Sequence, residues 1–209
     1  MAKVRVENFT ITTDGFGTGV GQRLEAPFGD GMEGLHDWMM AALEDKAAGK
    51  TGIDVEQVGR FEEGIGATIM GRNMFGPVRG PWEDESWTGW WGDNPPYHHD
   101  VFVHTHHLRP SLPMEGGTTF HFTDDPVETV LARAFKAANG QDVLVAGGAS
   151  TVQEYLRAGL IDEMHIVVAP ILAGAGVRLF DNVADTLGNY KVAKTATSPR
   201  ATHVEIVRR

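Results

Sequence analysis

Two stretches of the chain carry residue types suited to holding an anion. In the first, the apolar run Val143-Leu144-Val145-Ala146 leads into Gly147-Gly148-Ala149-Ser150-Thr151. Glycines at the mouth of a helix let a bulky anion approach the backbone, and the free N–H groups and helix dipole there favour phosphate. Ser150 is placed to cap the helix, with Gln153 as its capping-box partner. GxG spacing and a Lys-Ser/Thr pair are both missing, so the stretch is neither a dinucleotide fingerprint nor a P-loop. A tight strand-to-helix turn fits it as well as a pyrophosphate seat does. In the second stretch, Gly71-Arg72-Asn73 follows the apolar strand Ala67-Thr68-Ile69-Met70. Open α/β sheets bind ligands at such carboxyl ends, and guanidinium suits a nucleotide's 2′-phosphate. A surface ion pair is the plainer role for Arg72.

A different chemistry is offered by histidine. Six of the nine histidines fall between 98 and 121: His98, His99, His104, His106, His107 and His121. On a strand, His104 and His106 point to one face, a spacing that can ligate zinc, nickel or copper. A metal-binding protein or metal-dependent hydrolase is therefore a rival reading. Against it, no carboxylate-containing signature such as HExxH is present, and the leading expectation is no metal.

These residues must be positioned by a regular framework, and the sequence outlines one. Val4 to Thr13 alternates as a strand, and Asp14-Gly15 ends it. Seven glycines between 15 and 34 mark a long loop, of the kind that serves as a lid or binding segment. A helix is expected from Leu35 to about Ala48, with Leu35, Trp38, Met39, Ala42 and Leu43 inward. A short helix follows over 55–61. Further strands are expected at 101–105, 118–122, 143–146 and 164–169, with an edge piece at 177–180. The helix 126–138 has the clearest signals, with Asp125 as cap, Pro126 in the first position and Glu128 closing a capping box. A second helix spans 150–158, and 190–195 pairs with 203–207 as a hairpin. Alternating strands and helices give an α/β fold around a mixed, mostly parallel sheet flanked by helices and finished by an antiparallel C-terminal hairpin.

Residues 76 to 100 interrupt this rhythm with Pro77, Pro81, Pro95, Pro96, Trp82, Trp87, Trp90 and Trp91. So aromatic a segment reads as an ordered Trp/Pro-rich insertion. Its Trp87, Trp90 and Trp91 either wall a pocket for a flat heterocycle or bury against a second subunit.

Composition narrows the function classes. Without cysteine there is no disulfide framework, thiolate zinc site or cysteine nucleophile, so redox chemistry needs a borrowed cofactor. The net charge of -10 argues against binding a nucleic-acid backbone. Neither a leader-type apolar stretch nor a bilayer-spanning run occurs, so the expectation is a soluble, cytoplasmic protein, with 1–209 read as one domain.

Several motifs occur in order: Ile69-Met70-Gly71-Arg72-Asn73-Met74-Phe75, Val101-Phe102-Val103-His104-Thr105-His106, Val145-Ala146-Gly147-Gly148-Ala149-Ser150, Gly159-Leu160-Ile161-Asp162-Glu163-Met164, and Ala169-Pro170-Ile171-Leu172-Ala173-Gly174-Ala175-Gly176. Together they resemble the dihydrofolate-reductase-like superfamily, in particular the reductase domain of the riboflavin-biosynthesis deaminase-reductase and its stand-alone bacterial relatives. The resemblance covers nearly the whole chain.

It implies the dihydrofolate reductase-like fold and an NADPH-dependent oxidoreductase, similar to 5-amino-6-(5-phosphoribosylamino)uracil reductase, passing hydride to a small heterocycle-containing molecule. By that likeness Gly71, Arg72 and Asn73 meet the adenosine phosphates. Thr105 and His106 meet the adenine-ribose side, and Gly147, Gly148, Ala149, Ser150 and Thr151 hold the pyrophosphate. The glycine-rich loop corresponds to the one that closes over the nicotinamide. Asp14 matches the Asp-Gly of the riboflavin-type reductases and is the first candidate for a substrate or proton-transfer carboxylate, its plainer role being a turn residue. Where dihydrofolate reductases carry their catalytic carboxylate this chain has Gly34 or Leu35, with Glu33 and Asp37 close by; Asp37 is the second catalytic candidate. Trp38, Trp90 and Trp91 are the substrate-facing candidates. The family likeness also implies a homodimer, and leaves open a catalytically inert dimeric binding module.

Overall fold

The structure is a computed structural model that describes residues 2–76, 80–82 and 85–209; Pro77, expected in the insertion, lies outside the described residues. The strands are β1 (Val4–Thr12), β2 (Phe16–Thr18), β3 (Ile65–Gly71), β4 (Asp100–His104), β5 (Leu112–Pro113), β6 (Thr119–Thr123), β7 (Asp142–Gly147), β8 (Glu163–Ala169), β9 (Val177–Arg178), β10 (Tyr190–Thr197) and β11 (Thr202–Arg208). The helices are α1 (Asp37–Ala47), α2 (Ile53–Val58), α3 (Arg72–Phe75), α4 (Val127–Ala138), α5 (Ala149–Arg157) and α6 (Ala184–Leu187).

One nine-stranded sheet runs in the order β10-β11-β8-β1-β7-β3-β4-β6-β5, and β2 pairs with β9 apart from it. The pairs from β8 through β6 are parallel, whereas β11 joins β8 and β10 in antiparallel fashion. All seven residues of β3 are buried, as expected of a parallel strand covered on both faces.

On one face lie α4 and α5 over Val4, Val6, Phe9, Ile11, Ile69 and Val145. The opposite face is covered in two parts. Trp38 and Ala42 of α1 and Val58 of α2 pack on Val167 and Ala201. Farther along, the insertion lays Trp82, Trp87, Trp91 and Tyr97 over Met70, Val101, Val103, Phe120 and Phe122. Aromatic side chains there do what a helix does elsewhere in the sheet.

β1 does not keep the unbroken alternation its sequence suggests. Its pairing with β8 shifts register between Val6 and Phe9, and Asn8 takes φ 53°. One extra residue flips the phase of a strand. Val4, Val6, Phe9 and Ile11 thus share the α4/α5 core, while Asn8 turns to a polar partner on another strand, hydrogen bonding His165.

Both clearest helix starts differ from expectation in their caps. α4 begins at Val127 behind Pro126 with no side-chain cap. Asp125 is drawn away by Thr123 Oγ1 at 2.9 Å and Arg133 at 2.8 Å. α5 begins at Ala149, one residue before the expected cap Ser150, and Gly148 occupies the cap position with no side-chain hydrogen bond. Its supposed partner Gln153 instead donates to the Arg178 carbonyl at 2.6 Å. In α1 the inward residues are Trp38 and Ala42, and Leu43 is exposed, because the helix starts at Asp37 and its phase is set by Trp38. Among the described residues no helix is long and apolar enough to cross a membrane.

Candidate functional site

The order β1-β7-β3-β4 places four parallel carboxyl ends side by side, and those of β7 and β3 carry the two stretches suited to an anion. Register pairs Met70 with Gly147 and Gly71 with His104, so the corners after β7, β3 and β4 are neighbours. Adjacent strands lie about 4.8 Å apart, which puts the outer two corners within about 10 Å. The sheet order thus brings Gly71-Arg72, Thr105 and Gly147-Gly148 to neighbouring strand tips.

At the centre, Gly71 ends β3 against the first turn of α5. A methyl group on its Cα would lie 2.3 Å from Thr151 Oγ1, closer than atoms can approach. Only glycine permits that contact. The next corner is open where the first is tight: a methyl on Gly148 would meet no atom within 4 Å. The start of α5 therefore presents backbone N–H groups with no capping side chain, and Ser150 is exposed beside them. Such a helix end favours an anion. The peptide between Gly147 and Gly148 is cis.

Gly71-Arg72-Asn73 proves to be the start of the four-residue helix α3 rather than a bare turn. The Arg72 guanidinium lies 3.3 Å above the centre of the Trp82 ring. Its Nε, Nη1 and Nη2 are buried and have no hydrogen-bond partner among the described residues. Burial, reinforced by the charge of Arg109, pulls its pKa down to about 10, still leaving it cationic at neutral pH. A buried cation without a hydrogen-bond acceptor is costly, so these donors suit an anionic acceptor.

Thr105 is buried and forms a local turn with His107, its Oγ1 accepting from the His107 N–H at 3.1 Å; His106 is exposed at the tip. His104 Nε2 lies 2.8 Å from the Tyr155 hydroxyl, tying the β4 tip to α5. Burial lowers the histidine pKa and raises that of the phenol.

Asp14 sits at the fourth tip. Its carboxylate accepts from Thr12 Oγ1 at 2.6 Å and from the N–H groups of Ala173 and Gly174 at 3.1 and 2.8 Å. These donors hold its pKa at about 2, with Thr12 the largest cause. At neutral pH it is an acceptor, with no proton to give. Asp37 is exposed in the first turn of α1; a methyl on Gly34 would meet its Oδ2 at 3.2 Å and Ile171 at 3.8 Å. Asp14 thus holds residues 173 and 174, while Asp37 and Ile171 both lie beside Gly34.

The glycine-rich segment reaches the same place. Gly17 of β2 lies against Phe9 and Ala149, at 2.9 and 3.3 Å from where its Cβ would stand. Bridges Val20–Asp30 and Arg23–Ala26 fold the rest into an arm that leaves Val20, Leu24 and Phe28 exposed.

Other expected residues are placed elsewhere. Trp38 is 1% exposed in the α1 core, its Nε1 donating to Thr10 Oγ1 at 3.0 Å, so its ring has no open face for a substrate. Trp90 packs edge-on against Trp87, and Trp91 stacks on Phe120. Trp91 belongs to the cover of the sheet, Trp90 lies against that cover through Trp87, and both stay partly exposed. The histidines are dispersed because β4 ends at His104, which breaks the expected same-face pair with His106. His98 bonds the Gly116 carbonyl, His99 bonds Thr68, and His121 lies between Ser111 and Asp100. Among the described residues no group of three or more potential ligands is placed to hold a metal ion. The sequence offered no periodic signal for Arg109, although it stacks near the same Trp82 at 4.8 Å.

A parallel sheet with helices on its α4/α5 face, an antiparallel C-terminal pair and glycine corners at adjacent tips defines the dihydrofolate reductase-like fold of the riboflavin-pathway reductases. The chain belongs to the RibD C-terminal domain family, whose sequence profile matches residues 6–204. A protein of Shewanella sp. PV-4 ascribed to riboflavin biosynthesis superposes over 100% of this chain and 99% of its own, with a TM-score of 0.62 at 22% identity. The diaminohydroxyphosphoribosylaminopyrimidine deaminase/5-amino-6-(5-phosphoribosylamino)uracil reductase of Thermotoga maritima superposes with a TM-score of 0.52 at 14% identity, over 100% of this chain and 57% of that one. In sequence, the uncharacterized protein YwjB of Bacillus subtilis is 31% identical over 98 residues, which make up 41% of this chain and 56% of YwjB. The match therefore spans a little over half the length of that relative.

Proposed function

We propose that the protein is an NADPH-dependent reductase that delivers hydride to a small heterocycle-containing substrate, in the manner of the 5-amino-6-(5-phosphoribosylamino)uracil reductases. The observation that carries this is the unpartnered Arg72 guanidinium at the β3 tip, one strand away from the uncapped start of α5. In this reading the cofactor supplies the hydride, and the chain supplies binding, alignment and exclusion of water. Gly147, Gly148, Ala149, Ser150 and Thr151 hold the pyrophosphate through backbone N–H groups. Gly71, Arg72 and Asn73 take the adenosine phosphates, and His106 borders the ribose from the tip of β4. Asp14, ionised and occupied by three donors, anchors the segment 173–174 beside the site. The β2 arm, seated on Ala149, closes the site from above.

Titration with NADPH tests the proposal directly. Binding raises the melting temperature in proportion to RT ln(1 + [L]/Kd) and changes tryptophan emission. Absence of both effects at millimolar NADPH overturns it.

A further inference from the structure

We propose that Ser111, His121 and Asp100 form a nucleophilic trio at the β5 edge of the sheet, with Ser111 as an acyl-accepting hydroxyl for activated esters and thioesters. The inference is independent of the dinucleotide reading. Asp100 opens β4 and His121 is the middle residue of β6, whereas the glycine corners lie at carboxyl ends of strands. At about 3.3 Å per residue, Asp100 stands roughly 13 Å from the β4 tip.

Strand pairing sets the three residues in a row. β4 and β6 run parallel with Phe102 opposite His121, and β5 runs antiparallel to β6 with Leu112 opposite Phe120. Ser111, one residue before Leu112, therefore falls opposite His121. Alternate residues of a strand share a face, so Asp100 lies with Phe102 and His121, while Leu112 and Phe120 turn to the aromatic cover on the other side. The distances agree: Ser111 Oγ is 3.0 Å from His121 Nδ1, and His121 Nε2 is 3.2 Å from Asp100 Oδ1. Between them the imidazole stacks on Phe102 at 5.3 Å and 28°, and that ring is anchored in the core.

These contacts give each group a role. In the tautomer with its proton on Nε2, His121 turns that N–H toward Asp100 and leaves the Nδ1 lone pair to accept from the serine hydroxyl. Asp100 is then a positioning residue that favours the imidazolium formed when His121 takes the proton. In the reaction, Ser111 Oγ bonds to the acyl carbon as its proton passes to Nδ1. The bond to the leaving group breaks, and the departing alcohol or thiol carries that proton away. Water cleaves the acyl-serine by the same route and releases the acid. Exposure selects the donor: Ser111 is exposed, so solvent meets the developing oxyanion, and the acyl carbon must already be activated. Asp100 and the net charge of -10 favour a neutral acyl carbon over an anionic phosphoryl donor.

4-Nitrophenyl acetate tests the trio on the full chain, with nitrophenolate release followed by absorbance and the acetyl group located by peptide mass spectrometry. Wild type should carry acetyl on Ser111, labelled about a hundredfold faster than Ser198, whose hydroxyl bonds the Ala201 carbonyl instead of an imidazole. His121→Gln should bring Ser111 down to the rate of Ser198. Asp100→Asn should slow it about fivefold, the weight of an exposed ion pair. Should His121→Gln fail to fold, Ser111→Ala at an exposed position keeps the test: it should remove the initial burst of nitrophenolate that wild type gives. Acetylation of lysines or of His121 with none on Ser111, a burst unchanged in Ser111→Ala, or a Ser111 rate indifferent to His121 overturns the proposal. The rise in melting temperature with NADPH should be the same in Ser111→Ala as in wild type, so the reductase reading stands or falls separately.

Discussion

Gly71 and Thr151 occupy space that a single added methyl would contest, with only 2.3 Å between the Thr151 hydroxyl oxygen and the position of a Cβ on residue 71. Since φ at Gly71 is -82°, the backbone there is one any residue adopts, and the requirement for glycine is purely one of contact. This fixes the distance between the β3 tip and the first turn of α5, the two elements proposed to share a dinucleotide.

Gly71→Ala is accordingly expected to cost about 1–3 kcal/mol of stability by overpacking and to weaken NADPH binding. Thr151→Ala removes the opposing oxygen, and the next nearest atoms to the new methyl stand at 3.6 Å. The double variant should recover most of the stability lost, a coupling visible in a double-mutant cycle of urea unfolding. Additive losses would show that the contact is not what demands glycine.

Asp14 gives a prediction in pH. Its folded pKa of about 2 lies below the roughly 3.9 of an unfolded aspartate. A depressed folded value means stability that is present above about pH 4 and lost as the pH falls toward 2. Asp14→Asn should lower the melting temperature at pH 7 by weakening the ties to Thr12, Ala173 and Gly174, and should flatten the acid limb of the wild-type curve between those limits. Melting curves from pH 2 to 7 check both effects. An unchanged acid limb would remove the anchoring role.

Much of this arrangement was legible in the residues, and the exceptions have physical causes. Apolar runs such as Val143 to Ala146 identify parallel strands because both faces are covered, and the amphipathic stripe Val130-Leu131-Ala134-Ala138 identifies α4. Caps failed where a carboxylate had a stronger partner, as Arg133 is for Asp125, or where the helix began one residue early, as α5 does before Ser150. In the site, glycine-rich corners announce themselves by composition. Arg109 and Trp82 do not, because their meeting depends on how an irregular segment folds back over β4 and β6. Trp38 was misassigned to a substrate wall for a related reason: the sequence locates a tryptophan on α1 but says nothing of Thr10 waiting on β1 to receive its N–H.

Trp38 offers a direct check on that correction. As a core residue with a buried hydrogen bond, Trp38→Ala should cost about 3–5 kcal/mol, and Trp38→Phe roughly 1–3 kcal/mol through the unpaired Thr10 hydroxyl and lost volume. Neither should alter the affinity of the folded fraction for NADPH or substrate analogues. A selective loss of affinity in Trp38→Phe, at unchanged folding, would return this residue to the site.

The stacked pair His165 and His203 supplies the last prediction. Their rings lie 5.2 Å apart at 9° and share a hydrogen bond of 3.1 Å, in a buried chain running from Asn8 through both imidazoles to Asp54. Burial, aided by the charges of Arg60 and His203, pulls the pKa of His165 down to about 3. Glu7 lies 3.9 Å from its ring and Arg200 lies 3.7 Å from Asp54, so these charges also face the chain. A folded value below the unfolded one near 6.5 means that the unfolded state takes the proton first. The associated stability is therefore complete above about pH 6.5 and declines as the pH falls toward 3. Burial and Arg60 oppose a proton on His165, so acid weakens the contact between His165 on β8 and His203 on β11. His165→Gln should lose about 1–3 kcal/mol at pH 8, where His203 and Asn8 are left poorly paired, yet lose less than wild type between pH 8 and 5. Urea midpoints at both pH values decide it: parallel decline of the two proteins would show that His165 titrates as it does in the unfolded chain.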